Sequence, residues 1–306
     1  MRTFSAVSTG PRVKPHRIGG TVHSVFADAC NIEGADGEIF TLLSSRKPDQ
    51  PGGIRLASPR DFAFCDHLSA GDRVSCRSGI LRVPGRAFVV DLRHAETWRA
   101  RLPSARNDVD SSILASNWRV AADAFPSMSP TLARQSTRSE GNPFMRVWDL
   151  ADALTRALSE KDWEAAGGAM RPLVGCGPGL TPWGDDFVVG FLAGYQCLSN
   201  DQAGRRDLSR LRGRCRERVR TTSDISRSIL LDAIAGRYGM PVYALCEAVC
   251  GPASIPGVIG QVRSLMEIGD SSGEATCYGI LSGIAAASSS EVLAAHYSAL
   301  LAKRRL

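Results

Sequence analysis

Ala87-Phe88-Val89-Val90-Asp91-Leu92 closes the first third of the chain, and shortly after it, at Trp98, the spacing of apolar residues changes from two to 3.6. That switch decides the fold class. Upstream lie Thr21-Val22-His23-Ser24-Val25-Phe26, Arg73-Val74-Ser75-Cys76 and Ile80-Leu81-Arg82-Val83, short β-branched and aromatic runs cut by Gly, Pro and Asp. Alternation of this kind puts one set of side chains on each face of a strand. Cys30-Asn31-Ile32 leads into Gly34-Ala35-Asp36-Gly37, a turn signal, and Glu38-Ile39-Phe40-Thr41-Leu42-Leu43 follows as its hairpin partner. About five to seven strands so spaced predict a small antiparallel barrel or sandwich over residues 16–100, with 1–15 as a flexible tail.

Beyond Trp98 strand signals nearly vanish. Apolar residues at i, i+3, i+4 predict helices around 112–124, 145–170, 184–198, 205–219, 223–236, 241–250, 254–268, 273–286 and 289–303. The reading is an α+β chain whose residues 101–306 form a larger all-helical domain. Ser127 to Pro143, rich in Ser, Thr, Arg and Gly, reads as an irregular connection.

The chain has 306 residues, 43% hydrophobic and 22% charged, which excludes disorder throughout. No apolar run approaches the length of a spanning helix, and no apolar segment follows the basic N-terminus, so neither a membrane span nor a secretory signal is expected. The nine cysteines are scattered without a C-x-x-C pair. Reduced thiols in a cytoplasmic protein without structural zinc are the expectation. His16, His23, His67, His94 and His296 lie far apart in sequence and offer no H-x-x-x-H ligand pair.

The chemistry-bearing stretch is Gly175-Cys176-Gly177-Pro178-Gly179-Leu180-Thr181-Pro182-Trp183-Gly184-Asp185-Asp186, followed by an apolar helix. Alternate glycines free the backbone to take positive φ and leave its N–H groups unshielded, so the loop can wrap an anion. Thr181 reads as an N-cap with Pro182 at the first helical position, which turns the positive end of the helix toward the loop. Phosphate or carboxylate is the expected guest, with a simple capped helix–helix turn as the alternative. No Lys-Ser/Thr follows, so this is not a Walker loop, and no βαβ context makes it a dinucleotide fingerprint. Cys176 has no His nearby in sequence to act as base for a nucleophile.

Two other helix starts share this chemistry. Thr221-Thr222-Ser223-Asp224 and Gly269-Asp270-Ser271-Ser272-Gly273-Glu274 both carry capping-box spacing, Thr221 to Asp224 and Ser271 to Glu274. Three positive helix ends meeting on one anion would place Gly177, Gly179, Leu180, Thr181, Gly184, Thr222, Ser226, Arg227, Ser271, Ser272 and Gly273 around it. Asp185 and Asp186 admit three uses: favouring the helix dipole, ligating Mg²⁺ or working in acid–base catalysis, or holding the glycine loop in shape. A carboxylate beside an anion needs a compensating charge, for which Arg227 and Arg171 are the candidates.

Gly177-Pro178-Gly179-Leu180-Thr181-Pro182 with Gly184-Asp185-Asp186-Phe187, the Thr-Thr stretch with Ile225-Ser226, and Gly269-Asp270-Ser271-Ser272-Gly273 together resemble the AllH family. Val22-His23-Ser24-Val25-Phe26, Asn31-Ile32, Pro51-Gly52-Gly53-Ile54 and Ala95-Glu96-Thr97-Trp98 resemble its β-rich half, so the likeness runs over about residues 16 to 287. Trp183 stands where a small residue is expected and Asp270 where the family often has His. The resemblance implies a subunit of an oxamate carbamoyltransferase, acting with AllG-like and FdrA-like partner subunits or as a homo-oligomer. It further implies a carbamoyl group passed between carbamoyl-oxamate and phosphate in purine and allantoin catabolism. A non-catalytic anion-binding or scaffold subunit is the alternative. The acidic helix starts also resemble, more distantly, those of Mg-dependent ADP-ribosylglycohydrolases.

Arg205, Arg206, Arg210, Arg212, Arg214, Arg216, Arg218 and Arg220 concentrate the basic charge on one predicted helix with Leu208, Leu211, Cys215 and Val219 as its apolar stripe. Aromatic residues for base stacking are absent from it, so nucleic acid is not the expected partner. A solvated face or a docking surface for an acidic subunit is.

Overall fold

The computed structural model describes residues 2–103, 110–129 and 143–305, and it divides into two compact units, residues 1–100 and 101–306. Among the described residues the first unit holds nine strands: β1 (Arg2–Thr9), β2 (Gly19–Val25), β3 (Ala29–Gly34), β4 (Ile39–Leu43), β5 (Gly53–Leu56), β6 (Arg73–Arg77), β7 (Ile80–Val83), β8 (Phe88–Asp91) and the short β9 (Glu96–Thr97). Their order is β5-β4-β3-β2-β6-β7-β8-β1-β9, and a further β1–β5 pairing closes eight of them into a barrel. Alternation fills the inside. Ile32, Leu42, Ile54, Leu81 and Val90 are fully buried there, while the intervening side chains face outward. The Gly34–Gly37 turn forms as expected, with Gly37 at φ 70° and the Gly34 N–H bonded to the Glu38 carbonyl at 2.8 Å.

Two details depart from the sequence reading. Residues 1–15, expected as a flexible tail, supply β1, which pairs β5 antiparallel and β8 parallel. Phe4 and Ala6 face the core, and a register shift between Ala6 and Ser8 then sets Ser8 opposite Arg55, so the strand shows no sustained apolar alternation. The barrel is also not wholly antiparallel: β1–β8, β4–β5 and β1–β9 are parallel pairs.

The second unit is helical. Its ten described helices are α1 (Ser111–Met128), α2 (Pro143–Ser159), α3 (Trp163–Leu173), α4 (Trp183–Cys197), α5 (Gln202–Arg216), α6 (Asp224–Ile234), α7 (Met240–Cys250), α8 (Ile255–Met266), α9 (Ser272–Ala287) and α10 (Glu291–Arg305). The helix expected over 145–170 is two, because Lys161 turns to φ 58° and Asp162 caps α3 through the N–H groups of Glu164 and Ala165. The basic helix ends at Arg216, so Arg218 and Arg220 lie beyond it, on a turn and a 3₁₀ segment (Val219–Thr221). Most of the irregular connection expected over 127–143 lies outside the described residues. No helix among the described residues is long and apolar enough to cross a membrane.

At the centre α4 and α9 lie against each other without intervening side chains. A Cβ added at Gly190 or Gly194 would fall on the carbonyl oxygens of Thr276 or Ile280, and one at Gly279 or Gly283 on those of Phe187 or Phe191. Both glycine pairs have i, i+4 spacing, which leaves one bare stripe on each helix. The contacts advance along both helices in the same direction, so the pair is parallel and its two N-termini lie together. Trp183, Trp148, Phe187 and Tyr278 pack around that end, with ring centroids 5.8 Å apart for Trp148–Trp183 and 5.7 Å for Phe187–Tyr278.

Candidate functional site

The parallel seam brings two positive helix ends side by side, and hydroxyls join them: Thr181 Oγ1 and Ser272 Oγ are 3.0 Å apart. The glycine loop reaches this point with Gly175, Gly177 and Gly179 at φ 79°, 115° and 94°, each in the left-handed region. A Cβ on Gly177 would press on the backbone N of Trp183 at 3.0 Å, whereas Gly179 faces open space. The helix begins one residue later than expected. Pro182 is the N-cap, its carbonyl accepting from the N–H groups of Asp185 and Asp186, so Thr181 is free of capping and turns to Ser272.

The third start, that of α6, joins them through hydrogen bonds. Ser223 Oγ donates to the Leu180 carbonyl, and Thr222 and Ser226 donate to Asp185 Oδ2, the latter at 2.6 Å. Neither expected capping box forms. Ser223 caps α6 by accepting from the Ser226 N–H, and Thr221 donates instead to the Arg218 carbonyl. Ser271 makes no capping bond, and Glu274, buried in the first turn of α9, accepts from Ser129.

Asp185 and Asp186 are neighbours with different environments, since successive helix positions point about 100° apart. Asp185 is buried and fully engaged: Oδ1 accepts from the Gly175 N–H at 2.7 Å and Oδ2 from the Thr222 and Ser226 hydroxyls. It ties the glycine loop to α6. Burial still raises its pKa, against the pull of those three donors. Asp186 is buried with less support, its Oδ2 having no hydrogen-bond partner. Burial pushes its carboxyl up to about 8, which the Ser272 and Thr181 hydroxyls oppose and the neighbouring Asp185 reinforces. At neutral pH it is therefore mostly the neutral acid.

The other expected site residues fall into place as follows. Gly184 and Gly273 are buried close-approach positions, where a Cβ would run into the Leu173 and Leu265 carbonyls. Leu180 has its side chain in solvent. Arg227, named as a compensating charge, pairs with Asp224 at 2.8 Å, and Arg171 with Glu217 at 3.6 Å. Trp183 is a core residue, and Asp270 is exposed. The Cys176 thiol is raised by burial, away from the thiolate a nucleophile needs. No cluster of three His, Cys, Asp or Glu suited to a metal ion occurs among the described residues.

Sequence reasoning missed Gly175 and Ser223 as the anchors of the loop, and the Gly190/Gly194 and Gly279/Gly283 seam that aligns the helix starts. The i, i+4 glycines were a readable signal for the seam.

Two family models match the chain: the oxamate carbamoyltransferase subunit AllH over residues 173–284 and the AllH family N-terminal domain over residues 5–97. No curated protein and no solved structure matches it. The first match spans all three helix starts and the seam, the second nearly the whole barrel, and together they cover most of the sequence. The chain belongs to the AllH family, described as that of an oxamate carbamoyltransferase subunit.

Proposed function

We propose that this chain is the AllH-like subunit of a carbamoyltransferase and binds a small carboxylate or carbamoyl compound and phosphate where the starts of α4, α6 and α9 meet. The observation that carries this reading is the pairing of two parallel helix N-termini at Thr181 and Ser272 with a buried neutral carboxyl, Asp186, beside them. Helix N-termini favour negative charge, and a neutral acid removes the repulsion that a carboxylate would exert on an anion.

In the reaction a phosphate oxygen attacks the carbamoyl carbon of carbamoyl-oxamate. The carbon–nitrogen bond to oxamate then breaks, giving carbamoyl phosphate, and the departing nitrogen takes up a proton. The unshielded N–H groups of Gly177, Gly179 and Thr181 stabilise the negative oxygen that develops, and Asp186 supplies the proton. Asp185 positions the loop. Partner subunits, AllG-like and FdrA-like, complete the enzyme in a cytoplasmic setting. The test is phosphorolysis of carbamoyl-oxamate, or arsenate-dependent release of oxamate, by the chain alone and with such partners. Turnover that is lost in Asp186→Asn supports the reading. Turnover indifferent to Asp186→Asn removes Asp186 as the proton donor, and no turnover in either setting while phosphate still binds leaves an anion-binding subunit.

A further inference from the structure

A second surface, lined by none of the residues at the three helix starts, lies between α3 and α5. Trp163, Ala166, Gly167 and Met170, at i, i+3, i+4 and i+7 on α3, face Arg210, Leu211, Gly213 and Arg214 on α5 across a cleft of about 270 Å³. Glu217 closes one end through its ion pair with Arg171 at 3.6 Å. The floor is apolar and the glycines keep it open: a Cβ at Gly213 would meet nothing within 4 Å. The Arg210 guanidinium lies 5.1 Å from the Trp163 ring centroid, so the rim cation and the one aromatic wall are already engaged with each other.

The charge along this rim is unbalanced. Residues 205–220 carry eight arginines against two carboxylates, Asp207 and Glu217, which equals the whole formal charge of the chain, +6. Asp207 serves Arg210 at 3.6 Å and Glu217 is shared by Arg171 and Arg214. Arg206, Arg216, Arg218 and Arg220 are exposed, and no carboxylate among the described residues pairs with them. Arg206, Arg210 and Arg214 recur at i, i+4, i+8 and form one ridge above the cleft. A surface that only needed solubility would intersperse both signs.

We infer that the α3–α5 cleft with its arginine ridge docks an acidic amphipathic segment of a partner protein, the apolar side chains of that segment entering the cleft while its carboxylates meet the ridge. Nucleic acid fits less well, because the cleft floor is apolar and its single aromatic ring is covered by Arg210. The inference concerns binding alone and stands apart from turnover at the helix starts.

The experiment is calorimetric titration of the full chain with a synthetic acidic amphipathic helix, glutamates on one face and leucines at i, i+4 on the other, and separately with polyglutamate and duplex DNA. Two variants accompany it: Arg206→Glu with Arg210→Glu, which reverses the ridge, and Gly213→Leu, which fills the cleft at a position with room for a side chain. The amphipathic helix should bind the chain more tightly than polyglutamate and lose about tenfold or more in affinity in both variants. Absence of binding, an unchanged affinity in Gly213→Leu, or DNA binding as tightly and in competition, would overturn the inference.

Discussion

The barrel and the helical unit bury different chemistry. In the barrel the described buried polar side chains are Ser8, Thr9, Asn31 and Ser44, none of them a carboxylate, and the core is otherwise aliphatic and aromatic apart from the Cys30 thiol. The helical unit buries Asp152, Asp185, Asp186, Asp232 and Glu274. Most of these are matched: Asp232 to Arg237 at 2.9 Å, and Asp152 to the hydroxyls of Tyr278 and Tyr297. Buried ionisable groups cost stability unless paired, so a core that carries several is organised around something other than stability alone. Asp186, with one oxygen unsatisfied, is where that cost is least offset.

The contrast breaks first at the α4–α9 seam. Gly190→Val places side-chain atoms where the Thr276 carbonyl already lies, and overpacking of this kind costs about 3 kcal/mol or more. We expect it to abolish the cooperative unfolding of the helical unit, read by the fluorescence of Trp118, Trp148 and Trp183, while the barrel keeps its strand signal in circular dichroism. A variant that unfolds like the parent would mean that the seam yields.

Asp186→Asn sharpens the comparison through pH. The carboxyl is protonated in the folded chain up to about pH 8 but in the unfolded chain only below about pH 4, so its stabilising contribution is complete at low pH and is lost as pH rises between those values. Relative to the variant, the parent should lose stability across that window by up to about 1.4 kcal/mol per pH unit in urea unfolding. A difference between the two that stays constant with pH would place the Asp186 pKa in the ordinary range. Ser226→Ala should cost about 2 kcal/mol, because it removes one donor to Asp185, and should loosen α6 in hydrogen exchange. In the barrel, Ile54→Val removes one methylene from a fully buried site and should cost only about 1 kcal/mol, leaving phosphate binding unchanged. An effect on binding there would show that the two units are not separable in function.

The barrel was legible because alternation writes inside and outside into neighbouring residues; it failed at β1, where a register shift between Ala6 and Ser8 interrupts the pattern, and at the short β5 and β9, too brief to show one. Helices were legible for the same reason at period 3.6, except at Lys161-Asp162, where one residue of positive φ divides two helices without a Gly or Pro to announce it. The three helix starts could be found one at a time. Their meeting could not, because it depends on which way α9 runs beside α4, a relation between residues some ninety apart that local spacing does not encode. Nor could sequence distinguish Asp185 from Asp186: adjacent identical residues differ only in what the rest of the chain brings to each.

The glycine seam has a mechanical consequence. Side chains at an ordinary helix interface can change rotamer and let one helix slide or roll against the other, but α4 and α9 meet through bare backbone at Gly190, Gly194, Gly279 and Gly283, so there is nothing to rearrange and any sliding must lift one carbonyl ridge over the next. Thr181 and Ser272 are thereby held at a fixed separation by contacts two to four turns away. The start of α6 is attached differently, through the hydroxyls of Thr222, Ser223 and Ser226 and the burial of Ile225. The junction of the three helix starts thus has one side locked by backbone contact and another held by hydrogen bonds.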